Sequence, residues 1–172
     1  MTLVTPDGAK SSFPAVADAA TRVLILGSLP GEASLRRSQY YAHPQNQFWR
    51  LMEAVTQREL SAATYPERIT ALLGAGVGLW DVIRSARRVG SLDADIRGHT
   101  PNALTAFAAT LPALRAIAFN GAKASEIGRK QLSENTRLTL VALPSSSPAH
   151  AAMSFERKRE SWLTLRAFLN EG

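Results

Sequence analysis

The sequence predicts a single-domain, three-layer α/β/α protein with a mostly parallel central sheet, because buried strands alternate with helical segments. Three apolar runs, at residues 23–26, 116–119 and 138–143, indicate those strands. Each run ends in polar, turn-forming residues, at positions 27–31, 120–121 and 144–148. Ligands of open α/β sheets bind where loops leave the carboxyl ends of the strands. We therefore expect the functional residues at that edge.

Composition limits the class of protein. The chain has 172 residues, 45% of them hydrophobic, which suits one domain with a substantial core. It has no cysteine, which excludes disulfides, thiolate nucleophiles, cysteine zinc sites and iron–sulfur clusters. We expect a cytoplasmic protein, because the sequence shows neither a signal-peptide pattern nor an apolar stretch of about 18 residues.

The charge of the chain favours a nucleic-acid partner. The formal net charge is +6 and comes mainly from arginine, which binds phosphate through paired hydrogen bonds. On charge alone, a soluble protein that is merely basic is an equally good interpretation.

The elements follow in order from local patterns. Residues 1–20 are small, polar and interrupted by proline, and we interpret them as an N-terminal arm or extra layer before a main domain at residues 21–172. Phe48, Met52 and Val55 repeat at helical spacing after Asn46, which lies at the expected helix start. A second helix is predicted over residues 65–73, with Pro66 in its first turn, and a strand over residues 79–83.

The second half of the chain begins with a basic stretch. Arg84, Arg87 and Arg88, followed by Gly90, Gly98 and His99, indicate an exposed loop able to follow a phosphate backbone. Thr100 and Pro101 are typical of a helix start. Further helices are predicted over residues 121–132 and, with Ser154 as its cap, over residues 154–169.

Three motifs resemble the uracil-DNA glycosylase superfamily, and its hypoxanthine-DNA glycosylase branch in particular. They are Gly-Ser-Leu-Pro-Gly at residues 27–31, Tyr-Tyr-Ala-His-Pro-Gln-Asn-Gln-Phe-Trp at 40–49 and Pro-Ser-Ser-Ser-Pro-Ala-His at 144–150. The resemblance spans residues 23–169, and the string from His43 to Trp49 is its most discriminating part. It implies a glycosylase-like fold and a monofunctional enzyme of base excision repair. Such an enzyme flips a deaminated base out of single- or double-stranded DNA and hydrolyses its glycosidic bond, with hypoxanthine as first substrate and uracil as second.

The resemblance also assigns the catalytic residue. Most of the superfamily carries Asp or Asn before the proline of the first motif, where this chain has Leu29, whose side chain cannot hold a water. In the hypoxanthine branch the catalytic role falls on the asparagine that matches Asn46. From the residues alone, a helix N-cap is the preferred interpretation of Asn46, and the resemblance reverses that preference. Phe48 matches the ring that stacks on the extruded base, whereas its helical spacing also suits a core residue.

The remaining site residues follow in the same way. Asn120 is expected to recognise the base edge, although Asn-Gly is also an ordinary turn pair, and the backbone N–H groups of Ser28 and Leu29 are expected to bind a base carbonyl. DNA contacts are expected at the third motif and at two arginines, namely Ser145, Ser146, Ser147, Pro148, His150, Arg87 and Arg88. Tyr40, Tyr41 and His43 are expected to be secondary pocket residues. The two tyrosines either wall the pocket or simply pack, and His43 is expected to form a hydrogen bond within its own loop. Leu143 stands where some relatives have a histidine.

Three other functions remain open. A mismatch-directed uracil glycosylase would ignore hypoxanthine, and a non-catalytic damaged-DNA-binding protein would bind without excision. A nucleotide enzyme that uses residues 27–31 as a phosphate loop is disfavoured, because the Walker lysine and the three-glycine fingerprint are missing. The three motifs contain no lysine, so no Schiff-base lyase step is expected. We expect no metal, no cofactor, no membrane partner and a monomer.

Overall fold

The computed structural model describes residues 9–134 and 137–170. It has a three-layer α/β fold. The strands are β1 (Ala9–Ser11), β2 (Val23–Gly27), β3 (Val77–Asp81), β4 (Ile83–Arg87), β5 (Arg97–Pro101), β6 (Ala116–Asn120) and β7 (Thr139–Leu143). The helices are α1 (Glu32–Arg37), α2 (Phe48–Thr56), α3 (Tyr65–Gly74), α4 (Leu104–Ala109), α5 (Ala122–Leu132), α6 (Phe155–Leu163) and α7 (Arg166–Leu169), with a 3-10 turn at Asp93–Asp95.

The central sheet is parallel, as the sequence predicts. Its strand order is β3-β2-β6-β7. Gly27 pairs with Asp81 and Asn120 pairs with Leu143, so the carboxyl ends of all four strands lie at one edge. The predicted strand at residues 79–83 begins two residues earlier and ends at Asp81.

Alternating side chains of the central strands fill two cores. Val23 and Ile25 of β2 belong to the core beneath α2, α3 and α6, whereas Leu24 and Leu26 belong to the core beneath α4 and α5. Residues on both faces of β2 are fully buried, as expected for a central parallel strand. The continuous apolar run in the sequence reflects this double burial.

A second, antiparallel sheet has the order β1-β4-β5 and contains the stretch predicted as an exposed basic loop. That prediction is wrong. In β4, Ile83 and Ala86 are buried in the core that contains Leu24, while Arg84 and Arg87 are exposed, and register shifts interrupt the pairing of β4 with β5. Arg88, directly after the strand, is only 2% exposed.

Two helix boundaries also differ from the predictions. Thr100 and Pro101 end β5, and α4 begins only at Leu104. The backbone N–H of Asn102 donates to Val82 O at 2.8 Å, which holds this segment against the sheet and overrides the local helix-start signal. The last predicted helix is divided into α6 and α7, and Ser154 caps α6 by accepting from Arg157 N at 3.3 Å.

The N-terminal segment is predicted as an arm or an extra layer. Its residues 1–8 lie outside the described part of the chain. Beyond them, β1 pairs with β4, and Phe13 is buried in the core that contains Val23. Within residues 9–134 and 137–170, no helix has the length and apolar character needed to span a bilayer.

Candidate active site

A cleft of about 850 Å³ opens at the carboxyl edge of the central sheet. It brings together the three motifs and the end of β3, which are far apart in the sequence. The central part of its lining consists of Gly27, Ser28, Leu29, Tyr41, His43, Asn46, Asp81, Asn120, Ser145, Ser146, Ser147, Pro148 and His150. The cleft therefore lies at the edge of the sheet where the sequence predicts the site.

Asn46 lies at the amino end of α2 and lines the cleft, half-buried. Its Oδ1 accepts the backbone N–H of Phe48 at 3.0 Å, a bond that helps to satisfy the first turn of the helix. Its Nδ2 has no hydrogen-bond partner among the described residues. One side chain therefore stabilises the helix start and still offers its amide nitrogen to the cleft.

The aromatic ring that faces the cleft is Tyr41. Phe48, expected to stack on a base, is fully buried in the core and is absent from the cleft lining within the described residues. Tyr41 covers it, with ring centroids 3.8 Å apart and an interplanar angle of 12°. Sequence reasoning placed Tyr41 only among the secondary pocket residues, because two adjacent tyrosines do not reveal which one faces the cavity.

Tyr41 is held in an unusual backbone conformation. Its φ of 54° is uncommon for a residue with a side chain, and such conformations concentrate at functional sites. Trp49 Nε1 donates to Tyr41 O at 3.1 Å and stabilises it. Tyr40 is buried instead, with its hydroxyl bonded to Pro14 O at 3.1 Å. His43 is exposed at the rim of the cleft, where its Nδ1 accepts from Gln45 N at 3.1 Å.

The first motif presents backbone donors. Leu29 is buried among apolar residues, and the backbone N–H groups of Ser28 and Leu29 have no acceptor within the described residues. The hydroxyl of Ser28 donates to Asp93 Oδ1 at 2.5 Å. The turn therefore supplies two unpaired N–H groups at the cleft wall, as the sequence suggests.

Arg88 supports the first motif from behind. Its guanidinium donates to Pro30 O and, through Nε, to Gly90 O at 2.9 Å. Burial lowers the pKa of Arg88, and Asp93 opposes this. Because Arg88 is buried, the expected phosphate contact by this residue is replaced by a structural role. Arg87 is exposed on β4 and does not belong to the described lining of the cleft.

Asn120 binds the third motif. Its Nδ2 donates to Ser146 Oγ and its Oδ1 accepts from Ser146 N, both at 2.9 Å. The expectation of a free donor–acceptor pair at Asn120 therefore fails. Gln47 N also donates to Ser146 O at 3.0 Å, so the loop is tied to the start of α2.

The rest of the third motif forms a compact loop at the cleft mouth. Ser147 N donates to Ser145 Oγ at 3.1 Å, and Ala149 N donates to Ser147 Oγ at 3.2 Å. Pro148 is exposed and His150 is half-buried. These local bonds fix the loop before any ligand binds.

Asp81 is the cleft residue that sequence reasoning missed. It is 3% exposed, and burial, with a further contribution from Asp93, raises its pKa to about 7. The sequence contains a pattern that could have identified Asp81, since it is a single charged residue directly after the apolar run of residues 77–80. The strand predicted over residues 79–83 has Asp81 at its middle, whereas the observed strand ends at Asp81 and so places it at the edge of the sheet.

The charged residues that line the cleft are of both signs. Arg36 and Lys123 are basic, whereas Glu32, Asp93 and Glu126 are acidic. The net positive charge of the chain is therefore not concentrated in the lining of the cleft.

Comparisons with known proteins show the family of the chain. The sequence model of the Uracil DNA glycosylase superfamily matches residues 13–167. A hypoxanthine DNA glycosylase from Methanosarcina acetivorans is 39% identical over 151 residues, which cover 88% of this chain and 94% of the relative. One from Methanosarcina barkeri is 41% identical over 117 residues, or 68% of this chain and 74% of the relative.

A solved structure has the same fold. The solution NMR structure of a candidate uracil DNA glycosylase from Methanosarcina acetivorans has a TM-score of 0.83 and 37% sequence identity, and the match covers 94% of this chain and 99% of that one. With the family match over nearly the whole domain, the chain belongs to the uracil DNA glycosylase superfamily.

Proposed function

We propose that this protein is a hydrolytic DNA glycosylase that removes a deaminated base from DNA, hypoxanthine in preference to uracil. Membership of the superfamily and the names of the two curated relatives support a DNA glycosylase. The single observation that carries the proposal is the Asn46 side chain, which reaches the cleft with an unpartnered amide nitrogen.

Asn46 positions the attacking water. The bond from Phe48 N fixes Oδ1, which keeps one lone pair, and Nδ2 keeps both of its N–H donors. A carboxamide held in this way orients water toward the sugar C1′ without acting as a strong base. Leu29 offers no polar side chain, so Asn46 takes the role that an acid or amide of the first motif performs elsewhere.

The base binds between a ring and a set of donors. Tyr41 offers its free face for stacking, and the N–H groups of Ser28 and Leu29 donate to a carbonyl oxygen of the base. Negative charge collects on the base as the glycosidic bond breaks, and these fixed donors stabilise it. Deaminated bases are mispaired, so rotating them out of the duplex costs less than rotating a normal base.

The third motif holds the DNA. Ser145 and Ser147, half-buried at the mouth of the cleft, can donate their hydroxyls to phosphates, and Pro148 is exposed beside them. Ser146 is 1% exposed and bonded to Asn120, so the DNA contact expected of it is replaced by a structural role. Arg87 adds an exposed positive charge. Uracil is the second substrate because the same donors match its carbonyl groups, while the cleft volume of about 850 Å³ leaves room for a purine.

Excision assays test the proposal. Single- and double-stranded oligonucleotides that carry one hypoxanthine, uracil or xanthine are incubated with the protein and treated with alkali, and the released base is identified by mass spectrometry. We expect alkali-labile sites and free base from hypoxanthine first and uracil second, and none from matched undamaged strands.

Two results contradict the proposal. Release of uracil alone would identify a uracil-directed enzyme. Tight binding of damaged duplexes with no alkali-labile site would identify a non-catalytic binding protein.

A further inference from the structure

Asp81 is a buried acid that lines the cleft and has no role in the reaction described so far. Neither carboxyl oxygen accepts or donates a hydrogen bond within the described residues, and Oδ2 is fully buried. A buried polar atom without a partner costs about 1–3 kcal/mol, so an acid kept only for structure is normally satisfied by neighbours. The missing partner is therefore expected to come from a ligand.

The position of Asp81 follows from the sheet. One face of β3 carries Val77, Leu79 and Asp81, because every second side chain of a strand points to the same side. The carboxyl group of Asp81 therefore occupies the last inward position of the strand. Gly27 on the neighbouring strand leaves space for it. A Cβ atom at position 27 would lie 2.8 Å from Asp81 Oδ1 and 3.2 Å from the Tyr41 hydroxyl. The carboxyl group thus lies beside the ring proposed to stack on the base and directly before the N–H donors of the first motif.

The surroundings of Asp81 favour its neutral form. Burial is the main cause of its raised pKa of about 7, and the like charge of Asp93 on the 3-10 turn adds to it, while Arg88 opposes it. Tyr40 and Tyr41 are near enough for Asp81 to act on them electrostatically, and burial raises the pKa of both hydroxyls, so they stay neutral near pH 7. A neutral carboxyl group carries an O–H donor that a carboxylate lacks.

We propose that Asp81 is a further catalytic residue, whose neutral carboxyl group donates a hydrogen bond to the base as the base leaves. This inference rests on the proposed function. When water attacks C1′, the electron pair of the glycosidic bond stays on the base, and a donor fixed in a water-poor cleft stabilises that charge. The oxygen of water bonds to C1′ while the bond from C1′ to the base nitrogen breaks, and the proton that water loses neutralises the departed base, so Asp81 keeps its own proton. An ionised Asp81 would repel the departing base, so activity should depend on the acid form.

Single-turnover excision of hypoxanthine between pH 5.5 and pH 8.5, with wild type, Asp81→Asn and Asp81→Ala, tests the inference. We expect the wild-type rate to fall as pH rises through about 7. Asp81→Asn keeps an N–H donor at every pH, so its rate should stay within about tenfold of wild type and lose this pH dependence. Asp81→Ala should be slower by about 100-fold, because no donor remains.

Asp93→Asn is a second variant, which changes the pKa of Asp81 without altering the Asp81 side chain. Removing the like charge lowers the pKa of Asp81, so the wild-type decline in rate should move to lower pH. A purely structural acid would not produce this shift. If Asp81→Ala does not fold, the nearly isosteric Asp81→Asn and the Asp93→Asn shift still decide the question.

Thermal unfolding gives a readout that needs no activity. Because the pKa of Asp81 is higher in the folded than in the unfolded chain, the folded state binds the extra proton between about pH 4 and 7, and its stability falls as pH rises through that window. The melting temperature of Asp81→Asn relative to wild type should therefore increase with pH over that window and then level off.

The outcomes are distinct. An active wild type whose rate rises with pH, with an inactive Asp81→Asn, would mean that the carboxylate acts as a base and would overturn the inference. So would an Asp81→Ala variant as fast as wild type. A wild type that releases no base at any pH contradicts the proposed function itself and, with it, any catalytic role for Asp81.

Discussion

At the scale of single residues, the geometry of Asn46 is compatible with both interpretations that the sequence presents as alternatives. Its position before a helical repeat predicts a cap, and its motif predicts catalysis. In the structure, Oδ1 of Asn46 accepts the backbone N–H of Phe48, and Nδ2 has no partner among the described residues and is available in the cleft. A carboxamide has separate donor and acceptor atoms, so one residue can perform both roles.

Tyr41 and Phe48 show where motif and periodicity diverge. The helical spacing of Phe48, Met52 and Val55 correctly predicts their burial in the core. Because Tyr41 lies against the outer face of Phe48, the tyrosine is the ring available to a base. Only the three-dimensional arrangement shows this order of the two rings.

Replacing Tyr41 tests the stacking role. We expect Tyr41→Ala to slow single-turnover excision about 5- to 150-fold, the loss that corresponds to about 1–3 kcal/mol of base stacking. Tyr41→Phe keeps the ring and should stay near the wild-type rate.

Phe48→Leu is the matched control from the ring beneath. It should lower the melting temperature through lost packing and keep most of the activity below that temperature. If a folded Phe48→Leu variant is less active than Tyr41→Ala, Phe48 rather than Tyr41 is the ring that stacks on the base.

At the scale of elements, predictability follows burial. The strands β2 and β6 were predicted because both of their faces are buried, which produces continuous apolar runs. The strands β4 and β5 were missed because β5 is exposed along its whole length and β4 is irregular, with its buried residues three positions apart and register shifts in its pairing with β5. Local signals at Thr100 and Pro101 failed because hydrogen bonds of Asn102 to neighbouring strands decide the path of the chain.

Arg87 and Arg88 are adjacent in the sequence but differ in burial, since Arg87 is exposed at the end of β4 and Arg88 is buried directly after it. Arg87→Ala should weaken binding to duplex DNA and reduce the slope of log K against log salt by about 1, as the loss of one phosphate contact does. Its thermal stability should not change, because the side chain is exposed. Fluorescence anisotropy over a salt series measures the slope.

Two other arginines serve as controls for that measurement. Arg88→Ala should lower the melting temperature, because Pro30 O loses its buried donor. Arg115 is exposed at the opposite edge of the sheet and donates to Asn170 O at 3.0 Å. Arg115→Ala should leave the salt slope unchanged. If Arg87→Ala gives the same slope as Arg115→Ala, Arg87 does not contact the DNA.

At the scale of the whole molecule, the parallel sheet brings three distant motifs to one cleft. This meeting point was predictable, since every parallel strand ends at the same edge and each motif follows a strand or precedes a helix. The bonds between Asn120 and Ser146, the burial of Arg88 and the unpaired Asp81 were not predictable. They depend on which side chains meet across the fold, and no local pattern encodes that.

The most direct test of the account compares single-turnover excision of hypoxanthine with thermal unfolding for Asn46→Ser and Asn46→Ala. Serine can still accept the N–H of Phe48, so Asn46→Ser should unfold near the wild-type temperature, whereas Asn46→Ala should lose about 1 kcal/mol of stability. Both should excise at least about 100-fold more slowly than wild type, because the amide that holds the water is gone. A fully folded Asn46→Ser variant that excises hypoxanthine at the wild-type rate would reduce Asn46 to a helix cap and contradict the account.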